Sequence, residues 1–356
     1  MPRRFRRTLP LPPMLLFSLA ALAPLPIMAV GLWQGGWWIA GGLIYMTAFA
    51  ACLDHLIPLA APDAPEGAEF PGSEALLVAV GLGSLIALPF AIWAVAGDSG
   101  LSAPGRAAAF LGFGMFFGQV TNPAAHELIH RGDKRLFWLG AAAYASLLNG
   151  HHASAHRLVH HVHAATDLDP NSAKGNESFY RFLPKAYTLS FIQGLKSENA
   201  LRARRNGTDA GLHPYAAYLA MSALWALAAL GVAGLAGLAA WAAIGLYATA
   251  QLMLSDYVQH YGLRRARLSN GKWEAVAARH SWNAPHWFSS GVMLNAPRHS
   301  DHHAHPARPY PALRLPEADQ APWLPWSLPV ACMVALVPPL WRRKMAPRLR
   351  LWQTQP

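Results

Sequence analysis

A helix needs roughly 20 mainly apolar residues to cross the hydrocarbon core of a bilayer. This chain has six runs of that length, at about 14–34, 36–58, 75–97, 106–126, 214–233 and 236–258. The expected fold class is therefore all-α, a polytopic membrane protein of six transmembrane helices. Composition agrees: 53% of residues are hydrophobic and 13% charged, whereas a soluble chain carries about a quarter of its residues as charges. A disordered protein, a disulfide-built secreted domain and an ordinary cytosolic enzyme all fit poorly. Cys52 and Cys332 lie in separate apolar runs, with no metal or disulfide framework around them. The first run follows Arg3, Arg4, Arg6 and Arg7, as in a signal peptide or a twin-arginine leader. It is long for that role and is followed at once by a second run, so the two read as a hairpin that is not cleaved.

Positive charge sets the expected orientation. Of the 29 lysines and arginines, all but Arg106 fall before the first span, between the fourth and fifth, or after the sixth. The positive-inside rule then puts both termini and the two long polar segments in the cytoplasm, for a bacterial inner-membrane protein. The chain divides into a four-span part (1–126), a polar segment (127–213), a two-span hairpin (214–258) and a second polar segment (259–356). Phe137 to Leu148 is too short to span and reads as a re-entrant or interfacial helix. Trp323 to Trp341 is interrupted by Pro325, Pro329, Pro338 and Pro339 and reads as surface-lying or partly inserted.

Of the 17 histidines, His55, His213 and His305 stand alone at span ends or in polar turns and read as capped or solvated. Nine others cluster. His126 and His130 continue the fourth span, and positions four apart share a helix face. His156, His160 and His161 form HxxxHH, with the first two expected on one face and the third about 100° round. His299, His302 and His303 form HxxHH, and His260 closes the sixth span. All are assigned to one side, giving a cytoplasmic histidine-rich cap. Ionisable groups at membrane depth are costly and need partners, and a metal is the economical one. Nine imidazoles exceed what one ion takes, so two ions with four or five nitrogens each are expected. Imidazole suits zinc, copper, iron and nickel alike, so spacing does not name the metal. His126-Glu127-Leu128-Ile129-His130 also matches the HExxH of zinc peptidases, but that reading leaves two whole clusters unused. A transporter using the histidines as a relay is a third reading.

Taken together, the HELIHR block at 126–131, Gly150-His151 with HxxxHH, His260-Tyr261-Gly262-Leu263 and the block from Arg298 to Pro306 resemble the integral-membrane alkane monooxygenases. Xylene monooxygenases share these boxes. Fatty-acid desaturases share only the looser histidine spacing. Glu177 to Pro184 and His280-Ser281-Trp282-Asn283 fit as well. Ala155, Gln259 and Asp256 depart from the family pattern beside ligand positions, which bears on the tuning of the site. The resemblance implies two iron ions held by His126, His130, His156, His160, His161, His260, His299, His302 and His303. It implies O2-dependent hydroxylation of the terminal methyl of n-alkanes, with a xylene or fatty-acyl substrate as the alternative. It also implies electrons from a rubredoxin or ferredoxin reduced by an NADH-dependent reductase.

The chain itself shows no dinucleotide fingerprint, haem motif or iron–sulfur cysteine set, so no flavin, haem or NAD site is expected. All-nitrogen ligation leaves the ions strongly cationic. Glu127, Asp169, Glu177, Glu274 and Asp301, with His280, are therefore the expected supports around the imidazoles. Gly81, Gly83, Ser84, Gly112, Gly114 and Gly118 suit either a substrate slot or close helix packing, with packing favoured. Arg202, Arg204, Arg205, Arg264, Arg265 and Arg267 offer a basic face for an acidic carrier. Positive-inside topology explains them as simply, and explains the pI near 10 without nucleic-acid binding.

Overall fold

The apolar runs at 14–34 and 36–58 are helical in the computed structural model, which describes residues 12–60, 62–204 and 211–353. The N-terminal arginines and Arg205 lie outside the described residues. Helices α1 (Pro13–Gln34) and α2 (Gly36–Leu56) form the expected hairpin. Residues 27–31 of α1 pack on 38–42 of α2, so closely that a side chain at Gly31 would meet the Trp38 carbonyl at 2.8 Å. The turn carries exposed Trp33, Trp37 and Trp38, the amphipathic rings that favour a membrane–water interface. Then come α3 (Ser73–Ala96) and α4 (103–129), which starts where Ser102 Oγ caps Gly105 N.

Between Phe117 and Thr121 α4 widens by one residue into a π-type turn. The α3–α4 contact is close: Ser84 Oγ and Thr121 Oγ1 are 2.7 Å apart. Gly81 faces Leu139 and Leu128, Gly83 faces Leu25, Gly112 faces the Leu43 backbone and Gly114 faces the Tyr247 ring. These glycines serve helix packing.

Next follow α5 (Lys134–Ser146), α6 (152–163), α7 (Phe179–Arg204) and α8 (Pro214–Gln259). Helix α8 has 46 residues, about 69 Å if straight against about 30 Å of hydrocarbon. It is not straight. Gly234 takes φ 58°, ψ −146°, a conformation reserved for glycine, and Gly237 comes back against the Ala229 carbonyl. The arms lie side by side: Ser222 Oγ donates to Ala145 O (2.8 Å) and Trp241 Nε1 to Ser146 O (2.7 Å), both at the end of α5. The break falls where the fifth and sixth expected runs meet.

Helices α9 (Trp287–Val292), α10 (His299–Ala304), α11 (Leu328–Ala335) and α12 (Pro338–Gln353) complete the chain. The region 323–341 is thus two helix pieces parted at Leu336 and Val337, neither long enough to span. No strand occurs among the described residues.

Among the described residues, four helices are long and apolar enough to cross a membrane: α1, α2, α3 and α8. One end of the bundle gathers the start of α1, the end of α2, the start of α3 and the end of α4. Tyr310, fully buried, lies against Phe17 (5.0 Å between rings), reaches Ser73 O from its hydroxyl (3.4 Å) and donates its backbone N–H to Glu127 (3.1 Å). Asp54 at the end of α2 accepts from the N–H groups of Phe288 (2.9 Å) and Ser289 (3.2 Å). Both outer ends of α8 arrive there too: Tyr218 meets Ser154 (3.0 Å) and His260 follows the last turn. The histidines lie at this end.

Candidate metal centre

The α4 helix delivers His126 and His130, one turn apart. Helix α6 departs from α-helical geometry at His156–His160, where one full turn is π-type. A wider turn brings positions five apart onto one face. His156 therefore meets His161 (Nε2 to Nε2, 2.9 Å), while His160 turns to a different set of partners. The sequence expectation that His156 and His160 share a face fails here, because it assumed 3.6 residues per turn. Helix α10 does the same by ordinary geometry: His299 and His303, four apart, go one way and His302 the other.

The nine imidazoles resolve into two groups, each with its ligand atoms within 4.8 Å of one another. His126, His130, His156, His161 and His302 form the first; His160, His260, His299 and His303 form the second. Adjacent residues in both HH pairs are divided between the groups, which ties the two sites together through two peptide bonds.

Within each group the Nε2 atoms point at one another. In the first, His126 to His156 is 2.7 Å and His302 to His161 is 3.0 Å. In the second, His160 to His303 is 3.1 Å, His303 to His299 is 3.0 Å and His299 to His260 is 2.9 Å. Hydrogen bonding does not account for this. A ring nitrogen offers one proton or one in-plane lone pair, yet the Nε2 atoms of His156, His299 and His303 each face two others. Two nitrogens at right angles on one ion, each about 2.0–2.1 Å from it, stand about 2.9 Å apart. The donor set fits a cation in each group.

Protonation states agree. Burial pushes His156, His161, His299, His302 and His303 well below the ordinary histidine range, and burial with the neighbouring His160 takes His260 down to about 3. These rings are neutral with free lone pairs, as ligation requires. His160 is the exception. Burial acts downward on it too, but the Asp169 carboxylate, 2.9 Å from Nδ1, raises it. Asp169 is correspondingly held low: burial opposes, and His160 and the Ser172 hydroxyl (2.6 Å) prevail.

The expected supporting residues divide. Asp169 bonds a clustered imidazole directly. Glu127 approaches His126 Nδ1 at 3.9 Å while accepting from Arg131 (3.3 Å) and the Tyr310 N–H. Glu177, Glu274 and Asp301 do not reach the nine rings. Glu177 takes Lys185 (2.6 Å). Glu274 takes Arg279, the Ala266 N–H (2.6 Å) and His280 Nε2 (3.1 Å). Asp301 takes Arg308, His305 (3.1 Å) and the Arg314 N–H (2.8 Å). They pin the loops that carry the ligands.

His55 bonds Ala51 O (2.9 Å) and His213 accepts from the Tyr215 N–H (3.1 Å), so neither joins the groups. Asp256, which departs from the family pattern in the sequence, is held by Asn171 (2.6 Å); it precedes His260 by four, on the same helix face. Sequence reasoning missed Tyr310, which no local pattern marks.

Against this centre lies a mainly apolar cavity of about 550 Å³. His126, His156 and His302 of the first group and His299 of the second reach it, and Met46, Met115, Leu252, Met293 and Leu328 are among its walls. Of the six small residues considered for a slot, Gly118 alone lines it.

Residues 102–331 match the fatty acid desaturase family model. That stretch is well over half of the chain and holds every clustered histidine. The chain belongs to the fatty acid desaturase family. Curated proteins that it resembles are named monooxygenases. "Alkane 1-monooxygenase 1" of Pseudomonas aeruginosa is 34% identical over 70% of this chain and 65% of its own length. "Alkane 1-monooxygenase 2" of the same organism is 31% identical over 73% and 69%. "Xylene/toluene monooxygenase hydroxylase component XylM" of Pseudomonas putida is 28% identical over 91% and 86%. The chain thus spans about two thirds of the alkane monooxygenases it matches. With four helices of spanning length and apolarity, it is a multi-pass membrane protein.

Proposed function

We propose that this protein is an alkane 1-monooxygenase, converting n-alkanes to primary alcohols with O2 at two irons. The observation that carries the reading is the meeting of an apolar cavity with neutral imidazoles of both groups. His126, His130, His156, His161 and His302 would hold one iron, and His160, His260, His299 and His303 the other. When bound there, the irons supply the two-electron activation of dioxygen that insertion into an unactivated C–H bond demands.

The chain's own residues do the rest. An alkane offers no charge or hydrogen bond to grip, so the cavity walls act by enclosing it, excluding water and presenting one methyl to the nitrogens. Asp169 holds the Nδ1 proton of His160, which fixes the tautomer and turns the Nε2 lone pair toward the group. Glu127 and Tyr310 brace the His126 turn. Electrons come from a rubredoxin or ferredoxin, since no redox centre of that kind belongs to this chain's motifs. The topology proposed is six spans, counting α4 and both arms of α8. The lysine and arginine distribution supports a histidine end facing the cytoplasm of a bacterial inner membrane.

Aryl-methyl hydroxylation is the second reading, favoured by the match to the xylene/toluene monooxygenase component over 91% of this chain. The peptidase reading loses ground, because Glu127 is occupied by Arg131 and the Tyr310 N–H. Iron analysis of purified protein should give about two ions per chain on the two-site count. Membranes supplied with reductase, carrier and n-alkanes should form 1-alkanols, and xylene should distinguish the second reading. Zinc at one per chain with no alcohol from either substrate would overturn the proposal.

A further inference from the structure

One wall of the cavity is chemically out of place. Gln119 is 9% exposed, lines the cavity and sits within the π-type turn Phe117–Thr121 of α4. Among the described residues its amide makes no hydrogen bond, whereas the neighbouring side-chain donors of the cavity are engaged. Thr47 Oγ1 donates to Leu43 O (2.5 Å), and Gln251 Nε2 donates to Gly114 O (2.9 Å). Gln259 Nε2 donates to Ala296 O (3.0 Å). One turn on, Asn122 donates to Ala248 O (2.9 Å) but its Oδ1 is buried without a partner. Gln251 lies so close over Gly118 that any Cβ there would fall 2.5 Å from its Nε2. Gly118, Gln119 and Gln251 thus form a polar band in an otherwise apolar slot.

An amide that opens onto a mainly apolar cavity with no protein partner is costly to cover with hydrocarbon alone, and a π-type turn in a helix frequently marks a functional site. A saturated hydrocarbon cannot supply the partner; an oxygen function on the chain can, because an amide both donates and accepts. Gln119 precedes His126 by seven residues, so the band stands about 10 Å along α4 from the imidazoles. That is the span of a medium-length alkyl chain.

Resting on the proposed monooxygenase reading, we propose that Gln119 recognises an oxygen function at the far end of the substrate, so that primary alkanols enter methyl-first and leave as α,ω-diols. One terminal C–H bond is broken and one C–O bond formed. The second oxygen atom of O2 leaves as water, with two protons and with two electrons from the iron–sulfur or rubredoxin-type carrier of the parent reaction. Gln119 is a specificity residue at a subsite of the same cavity.

The test compares wild type, Gln119→Leu and the near-isosteric Gln119→Met with decane and 1-decanol in membranes containing the reductase and carrier. The wild type should form 1,10-decanediol. Both variants should lower the kcat/KM ratio of 1-decanol to decane about tenfold or more, the scale of one buried hydrogen bond lost. A ratio that does not move in either variant overturns the proposal. In parallel, thermal shifts of the purified protein by 1-decanol and by decane report binding without turnover. A larger shift with 1-decanol in the wild type, lost in the variants, supports the subsite even if no hydroxylation occurs and the parent reading fails. Equal shifts from the two ligands in the wild type mean that the amide holds water only, and overturn it.

Discussion

Replacing Asp169 with asparagine should weaken one metal site and spare the other. The carboxylate is buried and accepts three hydrogen bonds, from His160 Nδ1 (2.9 Å), Ser172 Oγ (2.6 Å) and the Asn171 N–H (3.1 Å). An amide keeps the shape and can still accept through its oxygen. Its NH2 cannot accept from the His160 N–H, so that ring loses its orienting partner or flips its tautomer and withdraws the Nε2 lone pair. Loss of such a partner costs about 10–100-fold in metal affinity, or about 1.4–2.7 kcal/mol. The cost falls on the group of His160, His260, His299 and His303, because His161, next in sequence, belongs to the other group. Iron retained after graded chelator treatment should drop in two steps in Asp169→Asn, the first removing about half at a chelator activity that leaves wild type loaded. Loss of both irons together, or a single wild-type curve, would refute the division of ligands.

Three further outcomes follow. Metal-free protein should lose stability as the pH falls below about 6.5, where unfolded histidines bind protons that the buried His156, His161, His299, His302 and His303 refuse. Each of these imidazoles contributes up to about 1.4 kcal/mol per pH unit, with His160, raised by Asp169, acting in the opposite sense, and identical melting temperatures at pH 7.5 and 5.5 in detergent would contradict this. Trp241→Phe leaves the Ser146 carbonyl at the end of α5 without its donor and should cost about 1–3 kcal/mol, read from detergent or denaturant unfolding. Gly118→Ala drives its Cβ onto Gln251 and should cost about 1–3 kcal/mol by overpacking. Hydroxylation assays on alkanes of graded length should show the longest accepted chain shortened.

The four histidine blocks and the long apolar runs are written in the sequence, because both are local patterns: imidazoles a turn apart, and some 20 apolar residues in a row. The α1–α2 hairpin was likewise legible, since two spans with a two-glycine turn leave little choice. Which histidine serves which group was not. The HxxxHH spacing suggests His156 with His160, and the pairing with His161 arises from a wide turn that no spacing rule assumes. The division of His302 from His303 needs α4, α6, α8 and α10 brought to one end of the bundle. Among the carboxylates, all named for their charge, Asp169 found an imidazole because the chain folds back nine residues after His160, while Glu177 found Lys185 instead.

Sequence alone therefore determined that this is a helical membrane chain rich in paired imidazoles, because hydrophobic length and i,i+4 spacing act within one segment. Tertiary structure alone decided how nine rings become two sites, why Tyr310 locks the cap, and that an unbonded amide at Gln119 lines an apolar cavity. Those depend on contacts between residues up to nearly 300 positions apart, such as Tyr310 with Phe17, which no local pattern encodes.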